Sequence, residues 1–195
     1  MAKKEIPPLD PEKTFLSAEQ FLEAARILAR HMPGPERKYS PAVPFPYIVH
    51  AAFSLELFLK CLLTLEGGLN GGLRRSHKAK DLFDGLQPKT KKALEERDSR
   101  GRRGTQQRQY ENALKAEGAE SPKVQFLEML AKTTLADDLA EANDAFEYFR
   151  YSFEDSEDGK TRGFTLGFFV EDLRVFILEL MPEWDRTGQP TFQAQ

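Results

Sequence analysis

The sequence predicts an all-α protein. Leucine occurs 24 times, whereas isoleucine and valine together occur nine times, so the β-branched residues that favour strands are scarce. No convincing run of period-two alternation marks a half-buried strand, while apolar residues recur at spacings of three and four along most of the chain. With 195 residues, 40% of them hydrophobic and 30% charged, and a net charge of −3, the chain can bury one sizeable core. One helical domain is expected over residues 17–182, preceded by a proline-rich segment over 1–16 and followed by a tail over 183–195.

Eight of the twelve prolines fall within the first 46 residues and make the flanks of the first helix extended or turn-like. That helix is expected to start at Ser17, an N-cap with Gln20 three residues on. It carries Phe21, Ala25, Leu28 and Met32 until Pro33-Gly34-Pro35 stops it. A second helix, about Tyr47 to Glu66, is apolar nearly all round, the pattern of a central helix touched from several sides. The glycine-rich stretch Gly67 to Gly72 reads as its C-cap and a loop. A phosphate-binding reading would need a preceding strand, and here a helix precedes.

Ser76 to Leu86 reads as a short helix, and Pro88 opens another that carries Ala93 and Leu94. Glu95 to Gln109 is polar and arginine-rich, either a loop or a poorly packed helix end. Ser121-Pro122 marks a helix start before Val124, Phe126, Leu127 and Leu130, with Thr133-Thr134 as an interruption. Leu135, Leu139, Ala142, Phe146, Phe149 and Phe153 continue the helical spacing to at least Arg150, ahead of an acidic loop from Glu154 to Gly159. A last helix over about Gly163 to Leu180 is closed by Pro182.

Several function classes lose support at this level. The single cysteine, Cys61, excludes an internal disulfide framework and reads as a small core residue. No export signal is visible in MAKKEIPPLDPEK, so a cytoplasmic location is expected. Tyr47 to Leu65 could just span a bilayer, but Glu56 and Lys60 in its middle would each cost about 2.5–3.5 kcal/mol to insert, so no membrane partner is expected. No Cys or His cluster suggests a metal, no cofactor is implied, and no serine or cysteine stands beside a base. Charge is segregated: residues 74–108 sum to +7, and residues 137–158 to −8.

The stretch FSLELFLKCLL, Phe53 to Leu63, poses the central question: why an apolar segment holds Glu56 and Lys60. As an i, i+4 pair they gain only about 0.2–0.5 kcal/mol at an exposed site, too little to justify burial. Either they occupy a narrow polar strip, or they face a partner group or a site.

Ser54-Leu55-Glu56-Leu57-Phe58-Leu59-Lys60-Cys61-Leu62-Leu63, a glycine-rich gap, and then His77 with Leu82 and Leu86 together resemble the HEPN domain, a helical bundle widespread in prokaryotes. Its pattern has an acid three residues before a Leu-Lys pair on one helix, then a histidine, an apolar residue and a leucine opening the next. Ala145 to Glu154, with Arg150-Tyr151, is similar to the arginine-tyrosine-acid helix end of one subset of these proteins. The resemblance covers about residues 47–155 and implies an up-and-down bundle of HEPN type with extra N- and C-terminal helices. It also implies a homodimer and an RNA-linked role in toxin–antitoxin, defence or stress systems.

Catalytic members use an Arg-x(4–6)-His motif from each subunit as metal-independent endoribonucleases; others bind RNA, nucleotides or a cognate partner protein. Here Arg150 is followed by Asp155, Ser156 and Glu157 at the corresponding distances, so the standard motif is missing. The literal match Arg26 to His31 lies ahead of the family block and reads as coincidental. The candidate catalytic residues are therefore Arg150, His77 and Glu56, with Lys60 beside them. A histidine can exchange a proton with a ribose 2′-hydroxyl, and an arginine can neutralise a pentavalent phosphate. For each the structural alternative stays open: local hydrogen bonding for His77 and ion pairing for Arg150. Arg100, Arg102, Arg103 and Arg108 are candidate RNA-backbone contacts, or else the cations of a solvated loop.

Overall fold

A computed structural model describes residues 8–31, 44–143 and 167–186, and among these residues every regular element is helical. The first helix, α1, spans Pro11–Arg30. It starts earlier than Ser17 because the Asp10-Pro11 pair supplies a stronger signal. The Asp10 carboxylate accepts from the Lys13 amide at 3.2 Å, and Pro11 presets the first helical φ. Ser17 lies inside the helix, its hydroxyl bonded to the Lys13 carbonyl at 2.9 Å. The extra turn is packed, since Thr14 and Phe15 are both buried.

Helix α2, Pro44–Leu65, is the centre of the bundle. Leu55, Phe58, Leu59, Leu62 and Leu63 on it are almost wholly buried, which explains an apolar content extending around the whole helix. Its stretch Pro46–Leu65 is long and apolar enough to cross a membrane, and 61% of it is buried inside the protein. Helix α1 lies along it through small buried residues, Ala18 and Ala25 on one side and Ala51 and Ser54 on the other. The Ser54 hydroxyl donates to the Ala18 carbonyl at 2.9 Å, a bond that needs the two backbones close together. Phe21 stacks on Phe53 at 5.1 Å to extend the contact.

After α2 ends at Leu65, the chain turns at Gly67, whose φ of +69° favours glycine, and the glycine-rich stretch folds into a short helix, α3, Gly71–Arg75. The Asn70 side chain accepts from the Gly72 and Leu73 amides, each at 3.0 Å, and starts it. Helix α4, Ala79–Asp84, buries Leu82 and Phe83 against the core, and α5, Pro88–Asp98, opens at Pro88 and buries Leu94. The arginine-rich segment is helical, not a loop. A π-helical segment, Ser99–Arg103, joins α5 to α6, Gly104–Glu117. Then follow α7, Pro122–Lys132, and α8, Leu135–Ala142, separated at Thr133-Thr134. Thr134 and Asp137 form a reciprocal capping box at the start of α8. The expected continuation to Arg150 lies outside the described residues.

Helix α9, Gly167–Leu180, packs Phe169, Val170, Leu173 and Ile177 into the same core and contacts α2 and α5. Ion pairs clasp it from both sides. Arg26 makes a two-pronged contact with Glu171 at 2.6 and 2.8 Å, Arg174 bonds Glu19 at 2.7 Å, and Arg97 pairs with Glu179. A turn of 3-10 helix, Pro182–Trp184, brings Trp184 onto Phe15, so the packed body runs past residue 182.

Candidate functional site

Glu56 and Lys60 stand one turn apart on α2 and are both buried, at 7% and 6% exposure. Lys60 Nζ donates to Glu56 Oε1 at 2.7 Å. The pair is a buried one, and its partner explains the burial. His77, in the connector between α3 and α4, brings Nδ1 to 3.2 Å from Oε1 and 3.1 Å from Oε2 of the same carboxylate. An ionised carboxylate only accepts, so Nδ1 carries a proton, and Nε2 of the neutral ring is the basic nitrogen. The His77 side chain itself is 56% exposed. A buried Lys–Glu pair thus orients an imidazole at the surface. Three of the residues singled out from the sequence meet here.

The local fold makes this meeting possible. Helical spacing puts Glu56 and Lys60 on one face of α2. The connector is held on both sides of His77: the Ser76 amide reaches Gly72 O and Leu73 O at 3.1 Å, and the Lys78 amide bonds Ser76 Oγ at 3.1 Å. Further on, the Lys80 amide donates to Asn143 Oδ1 at 2.8 Å, so α8 caps the start of α4. A carboxylate that fixes the tautomer and direction of an imidazole equips its other nitrogen to accept a proton.

Arg150 lies outside the described residues. Arg100, Arg103 and Arg108 find partners within their own helical stretch. Arg100 Nε donates to Glu96 O at 3.2 Å, Arg108 to Thr105 Oγ1 at 3.2 Å, and Arg103 Nε lies 2.6 Å from Asp98 Oδ2 with its N–H poorly aligned for a hydrogen bond. The backbone of Arg102 belongs to the π segment. Sequence reasoning did not single out Asp98, a fully buried carboxylate, or Asp138, at 5% exposure. The spacing of Asp98 four residues after buried Leu94 was the available signal. The arginine–histidine match Arg26 to His31 is used structurally: Arg26 holds Glu171 of α9, and His31 Nδ1 meets the Ile27 carbonyl at 2.8 Å.

Cys61 offers no nucleophile. Its thiol is buried and donates to the Pro11 carbonyl at 3.3 Å, and burial pushes its pKa up to about 12. Among the described residues no group of three or more His, Cys, Asp or Glu could hold a metal ion. No protein-family model matches this chain, and neither a curated protein nor a solved structure matches it.

Proposed function

We propose that this chain is a HEPN-type helical protein with an RNA-linked role in prokaryotic defence or stress response, working in the cytoplasm as a homodimer. The observation that carries the reading is the surface imidazole of His77 held on the buried Glu56–Lys60 pair. In this reading the pair is scaffold, and His77 is the group presented to RNA. The absence of a histidine after Arg150 weighs against the standard ribonuclease motif and towards recognition without cleavage.

A second reading is supported by the same geometry. A Glu-oriented imidazole is the arrangement of a general base, so an atypical metal-independent endoribonuclease would use His77 to deprotonate a ribose 2′-hydroxyl, with Arg150 at the phosphate. Incubating purified protein with total RNA, with and without EDTA, separates the two. Cleavage that persists in EDTA and is lost in both His77→Ala and Arg150→Ala establishes the enzyme. RNA retention without cleavage establishes the binding module, and neither retention nor cleavage overturns the RNA-linked role.

A further inference from the structure

We infer that the end of α3 and the connector from it to α4 form a preformed phosphodiester-gripping element, in which Arg75, the last residue of α3, and Lys78 hold the backbone phosphates of a single RNA strand beside His77. This deepens the RNA-linked reading and rests on it.

Residues 67–80 contain Arg74, Arg75, His77, Lys78 and Lys80 and no acid. The carboxylate that reaches the connector, Glu56, is buried and engaged by Lys60 and His77. Lys80 is neutralised by Asp84 at 2.6 Å, and Arg74 already has a partner. Arg75 and Lys78 are exposed and have no acid paired with them among the described residues. Many other cations are spent on acids: Arg26 on Glu171, Arg97 on Glu179, Arg103 on Asp98, Lys123 on Glu117 and Arg174 on Glu19.

Rigidity is the second argument. The connector is pinned at Asn70, at Ser76, at the His77–Glu56 contact and at the Lys80 amide on Asn143. Leu73 beneath it sits so close to Gly85 that a Cβ there would fall 2.6 Å from its Cδ1. Two unneutralised cations on a fixed backbone bind a polyanion at a lower ordering cost than the same cations on a loose loop. The α5–α6 arginines are the competing surface, but Glu95 and Glu96 lie among them.

The test is fluorescence anisotropy of a labelled single-stranded RNA oligonucleotide, titrated with the full chain at several salt concentrations. Both double variants below change exposed side chains, and far-ultraviolet circular dichroism confirms that each is folded. Arg75→Gln/Lys78→Gln is expected to weaken binding at least about tenfold at low salt. It should also flatten the slope of log affinity against log salt by about 1.4, the loss of two single-strand phosphate contacts. Arg100→Gln/Arg108→Gln is expected to bind as the parent does. A DNA strand of the same sequence should lose affinity by the same factor in the connector variant, because the grip is on phosphate; a loss confined to RNA overturns that assignment. If the connector variant binds normally while the α5–α6 variant fails, the inference falls and the RNA-linked reading stands. If the parent protein binds no RNA, both fall.

Discussion

Lys60 earns its place inside the core through one contact, and the consequence is asymmetric. Lys60→Met keeps a straight apolar side chain but strips the buried Glu56 carboxylate of its ammonium partner, leaving a 9% exposed side chain with His77 as its remaining partner among the described residues. Removing one member of a buried pair costs about 3–5 kcal/mol, whereas replacing both is often near neutral. Urea unfolding should therefore show Lys60→Met strongly destabilised and Glu56→Gln/Lys60→Met much less so; equal losses would show that packing, not charge, is what Lys60 contributes. The neighbouring Cys61 makes a different prediction. Its thiol is pushed up to about 12 from an ordinary 9.0, so above pH 9 the unfolded chain releases a proton that the folded chain keeps. Fewer protons on the unfolded state mean that stability falls as pH rises. The part of that decline owed to Cys61 is absent below pH 9 and should disappear in Cys61→Ala, measured by urea midpoints at pH 8, 9 and 10.

At the level of elements, α3 and α4 are locked to one another through Gly85 and Leu73. Gly85→Ala leaves the backbone unstrained, with φ at −71°, but the added methyl meets Leu73 Cδ1 at 2.6 Å and Leu63 Cδ2 at 3.3 Å. Overpacking of this kind costs about 1–3 kcal/mol, and the half-buried Leu73 can swing to keep the loss near the lower end. The urea midpoint should drop, and RNA affinity should drop with it if the connector grips phosphate, because Leu73 lies on α3 two residues before Arg75. Which elements the sequence announces follows from the same kind of local chemistry. Pro88, Ser121-Pro122 and Thr133-Thr134 are strong punctuation, and the helices begin or break there. The start of α1 was masked by two competing caps, of which Asp10-Pro11 is the better one. Helix α3 is hidden in a glycine-rich stretch where propensity opposes it and only the Asn70 cap supports it. The arginine-rich segment is ambiguous by composition, and tertiary contacts decide it: Arg97 over the Phe176 ring at 5.4 Å and Asp98 in the interior hold the chain helical. At the site, the Glu56–Lys60 spacing was readable from helix geometry, but the approach of His77 depends on how the connector docks, which no local pattern encodes.

Closure of the whole molecule depends on its two described ends meeting. Phe15 on α1 contacts Phe58 on α2 at 5.6 Å and Trp184 at 5.5 Å, and Arg186 pairs with Glu12 at 2.9 Å. The segment after α9 is thus tied to the first turn of α1, and all three rings belong to one continuous core. Trp184 is the single tryptophan of the chain, so tryptophan fluorescence reports on this end of the core. Because Phe15 is shared between the Trp184 contact and the α1–α2 interface, the ends should not undock before the bundle melts. Urea transitions followed by tryptophan emission and by far-ultraviolet circular dichroism should coincide, as cooperative single-core unfolding requires. An earlier fluorescence transition would show the terminal segment to be a separately melting attachment. Trp184→Ala should then lower global stability by about 3 kcal/mol, at the lower end for a large aromatic removed from a core, because the ring sits at its edge with 7% exposure. A loss below about 1 kcal/mol would place the closing contribution in the ion pairs of α9 instead of in this ring cluster.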